Sequence, residues 1–283
     1  MLILVTGGLG FVGSHFVDAL IGEGHEVHVV DNLSTGQLCN RNDKAVTFIM
    51  DVVDFCKKFD YQYDRVYHFA NNARIARSFD YAEETLLNNY NTTVAICEYM
   101  KKTESKFLLF ASSSTTEFTD QFNNPYTFSK HQCDDVLELY RKHYALKCST
   151  VKFYNVYGSM REKDLGEHTT VIRKFKQLVM QGKPLTVVGT GERRRDFTHI
   201  DDTVFALRII NDAAVYDRIT EYHIGTGVNY KIIDIAKAFD HPIVFTPDRT
   251  YELQDTLCAQ PFTGSTVDVI EHIKQWSKEN AAR

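Results

Sequence analysis

The chain has 283 residues, 43% hydrophobic and 24% charged, with a formal net charge of -5. That length admits one large domain or two closely joined ones around a substantial core. The acidic balance, without a long Lys/Arg run, argues against a protein that coats nucleic acid. The six cysteines (39, 56, 97, 133, 148 and 258) form no C-x-x-C pair and no zinc-finger set. Free thiols in a reducing compartment are therefore expected, with no metal. The apolar run at 1–5 is too short for a signal peptide or a membrane span, so no membrane partner and a cytoplasmic location are expected.

The run at 2–6 is continuously aliphatic and reads as a buried strand, followed by helical periodicity over 11–21. Further strands are expected at 25–30, 46–50, 65–70, 106–111 and 148–153, and long helices at 83–102 and 126–143. Strands alternating with helices imply right-handed βαβ units, an α/β fold with a doubly wound parallel sheet. Past about residue 160 the rhythm changes, with helices at 171–181 and 202–211, a short strand at 185–188, and smaller mixed elements at 222–224, 233–239 and 243–245.

Between the first strand and the first helix stand Gly7, Gly10 and Gly13, with Phe11 and Val12 opening the helix. Gly7 suits a tight turn, Gly10 lets backbone approach a pyrophosphate, and Gly13 lets the helix pack on the strand. The free N–H groups of the helix start favour that anion. Asp31, 18 positions after Gly13 at a strand end, can accept both ribose hydroxyls and repels a 2′-phosphate, which favours NAD over NADP. Asp51-Val52, after the third strand, is placed either against the adenine or in a turn. The chain is thus read as a Rossmann domain over 1–160, to which 196–212 returns. A smaller mixed cap over 161–283 would bind the substrate.

Ser112-Ser113-Ser114 follow the strand ending at Ala111, at the carboxyl edge where ligands bind in such sheets. Pro125 suits a helix start, and Tyr126-x-x-x-Lys130 puts a phenol and an ammonium on one helical face. The cation should draw the tyrosine pKa down toward the working pH and make it an acid/base. His68, His199 and His223 have no metal-ligand grouping and read as structural.

The succession TGGLGFVG, VVDNLSTG, HFA, NNYNTT, FASSSTT, YTFSK, FYNVYG and RRDFTHIDD resembles the extended short-chain dehydrogenase/reductase family, over roughly residues 1–260, and within it the UDP-sugar 4-epimerase branch. The resemblance implies an NAD-dependent enzyme, a nucleotide-diphosphate sugar as substrate and a transient 4-keto sugar. It implies Tyr126 and Lys130 as the catalytic pair, Ser114 as their hydroxyl partner, and Phe69, Ala70 and Asn88 along the cofactor. It extends the cofactor set to Asn32, Ser34, Ser112 and Phe153. On the substrate side it implies Asn155, Arg195 and Arg249 at the diphosphate, Glu252 at the ribose, and Thr116, Val171 and Val188 around the sugar nucleotide. Two separated guanidinium groups suit a dianionic bridge, whereas Arg193 and Arg194 read as a solvated run.

Thr115 and Thr116 stand where the dehydratase branch carries an Asp-Glu pair and the decarboxylase branch a Glu, and Glu117 should point away. Twelve positions separate Ser114 from Tyr126, fewer than is usual in the family. Other nucleotide-sugar chemistry, or an NAD-binding sensor without catalysis, remain alternatives. The two long helices resemble the pair that joins homodimers of the family, with Leu86, Val94, Ile96, Val136 and Leu139 available for that interface or for the core.

Overall fold

The computed structural model describes residues 1–212, 220–249 and 253–280. The aliphatic run forms β1 (Leu2–Thr6), buried from Ile3 onward. The glycine turn leads into α1 (Phe11–Gly22), then β2 (Glu26–Asp31), β3 (Val46–Ile49), α2 (Val52–Lys58) and β4 (Arg65–His68). There follow α3 (Ile75–Asp80), α4 (Ala82–Thr103), β5 (Leu108–Ser113), α5 (Thr115–Phe118), α6 (Pro125–Tyr144) and β6 (Cys148–Phe153). The later part carries α7 (Val171–Met180), β7 (Leu185–Val188), β8 (Arg194–Asp196), α8 (Ile200–Asp212), β9 (Glu221–Ile224), β10 (Asn229–Lys231), α9 (Ile232–Lys237), β11 (Ile243–Thr246) and α10 (Val269–Asn280).

Seven parallel strands make the main sheet, in the order β3-β2-β1-β4-β5-β6-β9. Strands apolar on both faces need cover on both. Phe16, Val17 and Leu20 of α1 and Ala206, Leu207 and Ile210 of α8 cover one face. Phe55 of α2, Ile96 and Met100 of α4, and Cys133 and Leu137 of α6 cover the other. Ile96 and Val136 thus belong to the intramolecular core, whereas Leu139 is exposed. The chain runs outward from β1 through β2 and β3, then returns to pair β4 on the other side of β1. That reversal opens a crevice at the carboxyl ends of β1 and β4, where doubly wound sheets take their ligands.

The seventh strand corrects the expected division of the chain. Residues 221–224, assigned from the sequence to the cap, pair with β6 from Thr150↔Glu221 to Phe153↔Ile224 and so complete the main sheet. Four residues with two apolar positions look the same in either layer; the exposed edge of β6 decides the matter. The cap keeps α7, α9, α10 and two small sheets, β8 with β10 and β7 with β11. Its separate core gathers Phe175, Leu185, Val187, Phe197, Ile235, Phe239 and Ile273.

Candidate active site

A single cavity of about 830 Å³ runs from the glycine turn, past the carboxyl ends of β1, β4 and β5, to the cap. At its first end Gly7 has φ 69, and a Cβ there would stand 2.8 Å from the Ala70 amide nitrogen. A Cβ on Gly13 would strike the Gly7 carbonyl. The bare turn therefore lets β1, β4 and α1 meet, and it leaves the start of α1 facing the cavity through Gly10, Phe11 and Val12. Asp31 is held by the amides of Leu9 at 3.0 Å and Leu33 at 2.8 Å, and burial pushes its carboxyl up. Asn32, Ser34 and Val52 line the cavity beside it. Asp51 lines it too, while its carboxylate caps α2 by accepting the Val53 amide at 2.8 Å. A side-chain-free turn at a helix start with a ribose-accepting carboxylate beyond it fits a dinucleotide. Phe69, Ala70, Asn88 and Phe153 continue the wall inward.

Asn124 caps α6 by accepting the Thr127 amide at 2.8 Å, and Pro125 fills the first helical position. This start fixes Tyr126 in the first turn, 6% exposed and facing the cavity. Lys130, one turn on, donates to the Ala111 carbonyl and to Asn71 Oδ1, both at 2.6 Å, with its ammonium 6.0 Å from the Tyr126 ring centre. Burial pushes Lys130 down to about 8. Tyr126 itself is raised by burial, against the expectation that its neighbours would lower it; a hydrogen bond to Ser113 and the charge of Arg74 pull the other way. Desolvation of the phenolate outweighs both in the protein alone.

The hydroxyl that meets Tyr126 is thus Ser113, where Ser114 was expected. The reason is backbone geometry: β5 ends at Ser113, and Ser114 has already turned helical at φ -58, ψ -23 as the start of α5. Ser114 still lines the cavity, as does Ser112, whose hydroxyl donates to Asp134 at 2.8 Å. Thr116, expected at the substrate, turns back to the Ser113 carbonyl at 2.9 Å and does not line the cavity, whereas Thr115 does. Glu117 points away, receiving the Tyr154 hydroxyl at 2.5 Å and pairing with Lys152 at 3.3 Å.

Toward the cap, Asn155 gives its amide to the Asp196 carbonyl at 2.8 Å, and Arg195 donates to the Leu253 carbonyl at 2.7 Å. Both line the cavity together with Val171, Val188 and Arg249. Glu252 lies outside the described residues. Arg193 and Arg194 are not the solvated run expected. Arg193 is buried in the cavity wall and pairs with Asp248 at 2.5 Å, and Arg194 holds Asn229 at 2.8 Å.

Sequence reasoning missed Arg74, Asn71, Thr115, Glu162 and Lys163, all of which line the cavity. Arg74 and Glu162 carry a usable signal only as a pair, because their attraction acts over 88 positions of chain.

The NAD dependent epimerase/dehydratase family matches residues 3–225. UDP-glucose 4-epimerase of Bacillus subtilis is 28% identical over 85% of this chain and 81% of its own. UDP-glucuronic acid decarboxylase 1 of Arabidopsis thaliana is 26% identical over 92% of this chain and 62% of its own. Among solved structures, UDP-glucose 4-epimerase of Thermotoga maritima with UDP-glucose superposes with a TM-score of 0.88 at 26% identity, covering 100% of both chains. The Thermus thermophilus UDP-glucose 4-epimerase in complex with NAD gives 0.86 at 25% identity, covering 99% of both. The chain belongs to the NAD dependent epimerase/dehydratase family, that of the nucleotide-sugar enzymes just named, and uses NAD as its cofactor.

Proposed function

We propose that the protein inverts C4 of a UDP-hexose through a transient 4-keto sugar. The observation that carries this reading is the buried phenol of Tyr126, bonded to Ser113 and one helical turn from Lys130, at the meeting of the dinucleotide cradle and the arginine-lined end of one cavity. NAD, when bound, supplies a hydride acceptor and donor at C4. Tyr126 as phenolate takes the proton of the C4 hydroxyl and later returns it. Ser113 hydrogen-bonds that oxygen and holds it in line. Arg195 and Arg249 grip the diphosphate, so the keto sugar can turn about its linkage and offer the opposite face to the same phenol.

Epimerisation is favoured over elimination of water because no carboxylate follows Ser113 into the cavity. Thr115 is there instead, and Glu117 faces Lys152 and Tyr154. Among the described residues no helix is long and apolar enough to cross a membrane. A second copy of the chain fits the outer faces of α4 and α6, where Leu87, Tyr90, Leu139 and Tyr144 are exposed. The test of the activity is product analysis by NMR with UDP-glucose and UDP-galactose. Wild-type protein should interconvert them, and Tyr126→Phe should lower turnover about 10²- to 10⁴-fold. Undiminished turnover by Tyr126→Phe would sink the mechanism.

A further inference from the structure

Lys130 is 2% exposed, so its charge depends on the acceptors that the protein sets around it. An ammonium has three donors, and two are engaged, one by the Ala111 carbonyl and one by the side-chain oxygen of Asn71, each at 2.6 Å. The Phe110 ring lies against it, its centre 4.7 Å from the ammonium nitrogen. Burial opposes the charge, whereas Cys133 and Asp134 on α6 favour it. Asn71 reaches Lys130 across 59 positions of chain, from the loop after β4, where it lines the cavity.

Asn71 is itself held. Its side-chain nitrogen donates to the Ala70 carbonyl at 3.0 Å and lies 3.4 Å from both Thr92 Oγ1 and His68 Nε2. Its backbone amide donates to the Phe69 carbonyl at 2.8 Å. The lysine fixes the direction of the whole chain of bonds. An ammonium only donates, so the Asn71 oxygen faces it and the amide nitrogen faces His68. His68 Nε2 then accepts, and the ring proton sits on Nδ1 and goes to Thr6 Oγ1 at 2.6 Å. A charged imidazole would set donor against donor, so His68 has to stay neutral. Its burial, and after that the Lys130 charge, hold it down to about 3. Thr6 is the last residue of β1, so the chain of bonds runs from the catalytic lysine to the foot of the glycine turn. The Asn71 amide cannot turn over while Lys130 is charged.

We propose that Asn71 is a positioning residue for the C4 chemistry, keeping the Lys130 ammonium charged and seated beside Tyr126. The inference rests on the reading of Tyr126 and Lys130 as the reacting pair. A neutral lysine no longer favours the phenolate, so loss of the Asn71 oxygen reaches the sugar through two side chains. The Ala111 carbonyl belongs to the backbone; Asn71 supplies the acceptor that a substitution can remove.

The experiment is a pH titration of Lys130 in the NAD-loaded protein, by NMR of isotope-labelled lysine, with Lys130→Arg to assign the signal. Asn71→Ala removes an acceptor from a buried cation and should lower the Lys130 midpoint by about one to two pH units. Asn71→Asp puts a carboxylate in the same place and should raise it by about one unit or more. In turnover of UDP-glucose at neutral pH, Asn71→Ala should lose about tenfold or more in kcat with KM little changed, and Asn71→Asp should recover part of it. A residue that only supports the fold would impair both variants alike and leave the midpoint where it is. A midpoint unmoved in both variants, or moved the same way in both, overturns the proposal. If Asn71→Ala does not fold, the near-isosteric Asn71→Asp decides alone, and an unmoved midpoint there overturns it. Absence of wild-type turnover with every UDP-hexose is a distinct outcome, which sinks the C4 reading and the role of Asn71 in it.

Discussion

At the scale of single residues, the difference between Ser113 and Ser114 is the sharpest consequence of the geometry. A hydrogen bond to a charged group is worth about 1.5–3 kcal/mol, so Ser113→Ala should lower kcat/KM roughly 10- to 100-fold. Ser114→Ala should cost far less, because its hydroxyl is not the one that meets the phenol. Steady-state kinetics of the two variants checks this, and the reverse ranking would restore Ser114. The phenol, the lysine and the glycine turn were legible because their spacing is local: four positions for the pair, three for the glycines. The serine was misplaced by one position because the place where β5 stops is not written in a run of three identical residues. Arg74 and Glu162 were illegible because only the folded chain brings them together.

At the scale of elements, the unusually short link between the serines and Tyr126 is bridged by the single turn of α5 and a tight turn at 121–123, which suffice to return the phenol to the end of β5. The regular elements of the first half were readable because each is a full apolar strand or a long periodic helix. The short helices α2, α3 and α5 have too few turns to establish a period. In the cap, α10 went unread although Ile273 is fully buried and Trp276 packs on Phe239, with ring centres 5.8 Å apart. Asp202 lies inside the first turn of α8. There it ties down the stretch after the cap's last strand through Ser265 at 2.8 Å and the Thr266 amide at 3.1 Å. The exposed faces of α4 and α6 carry their own prediction. Leu139→Glu, which disturbs no buried contact, should shift the light-scattering mass from that of a dimer to the 32.5 kDa chain. A wild-type mass of one chain would remove the dimer reading.

At the scale of the whole molecule, the alternation of strands and helices already specified a doubly wound sheet, while the outermost strand, contributed by residues 221–224, came from beyond the expected boundary. Stability should depend on pH in one direction through the mildly acidic range. Burial lowers His68 to about 3 and His272 to about 4, and it also lowers His15, His28 and His199. Between about 6.5 and those values the unfolded chain binds protons that the folded chain refuses, so stability present above pH 6.5 is lost as pH falls. Asp134, raised to about 6, and Asp31, also raised, act in the opposite sense, two groups against five. The melting temperature should therefore fall between pH 7 and pH 5; a flat or rising profile there would mean the histidines are solvated.

The central claim is that one phenol serves both faces of a sugar oxidised and reduced at the same carbon. It is tested most directly by converting UDP-galactose deuterated at C4 and locating the label by NMR. The geometry predicts UDP-glucose with the deuterium retained at C4 and no product lacking water or carbon dioxide. Loss of the label to solvent, or an unsaturated or shortened sugar as product, would contradict it.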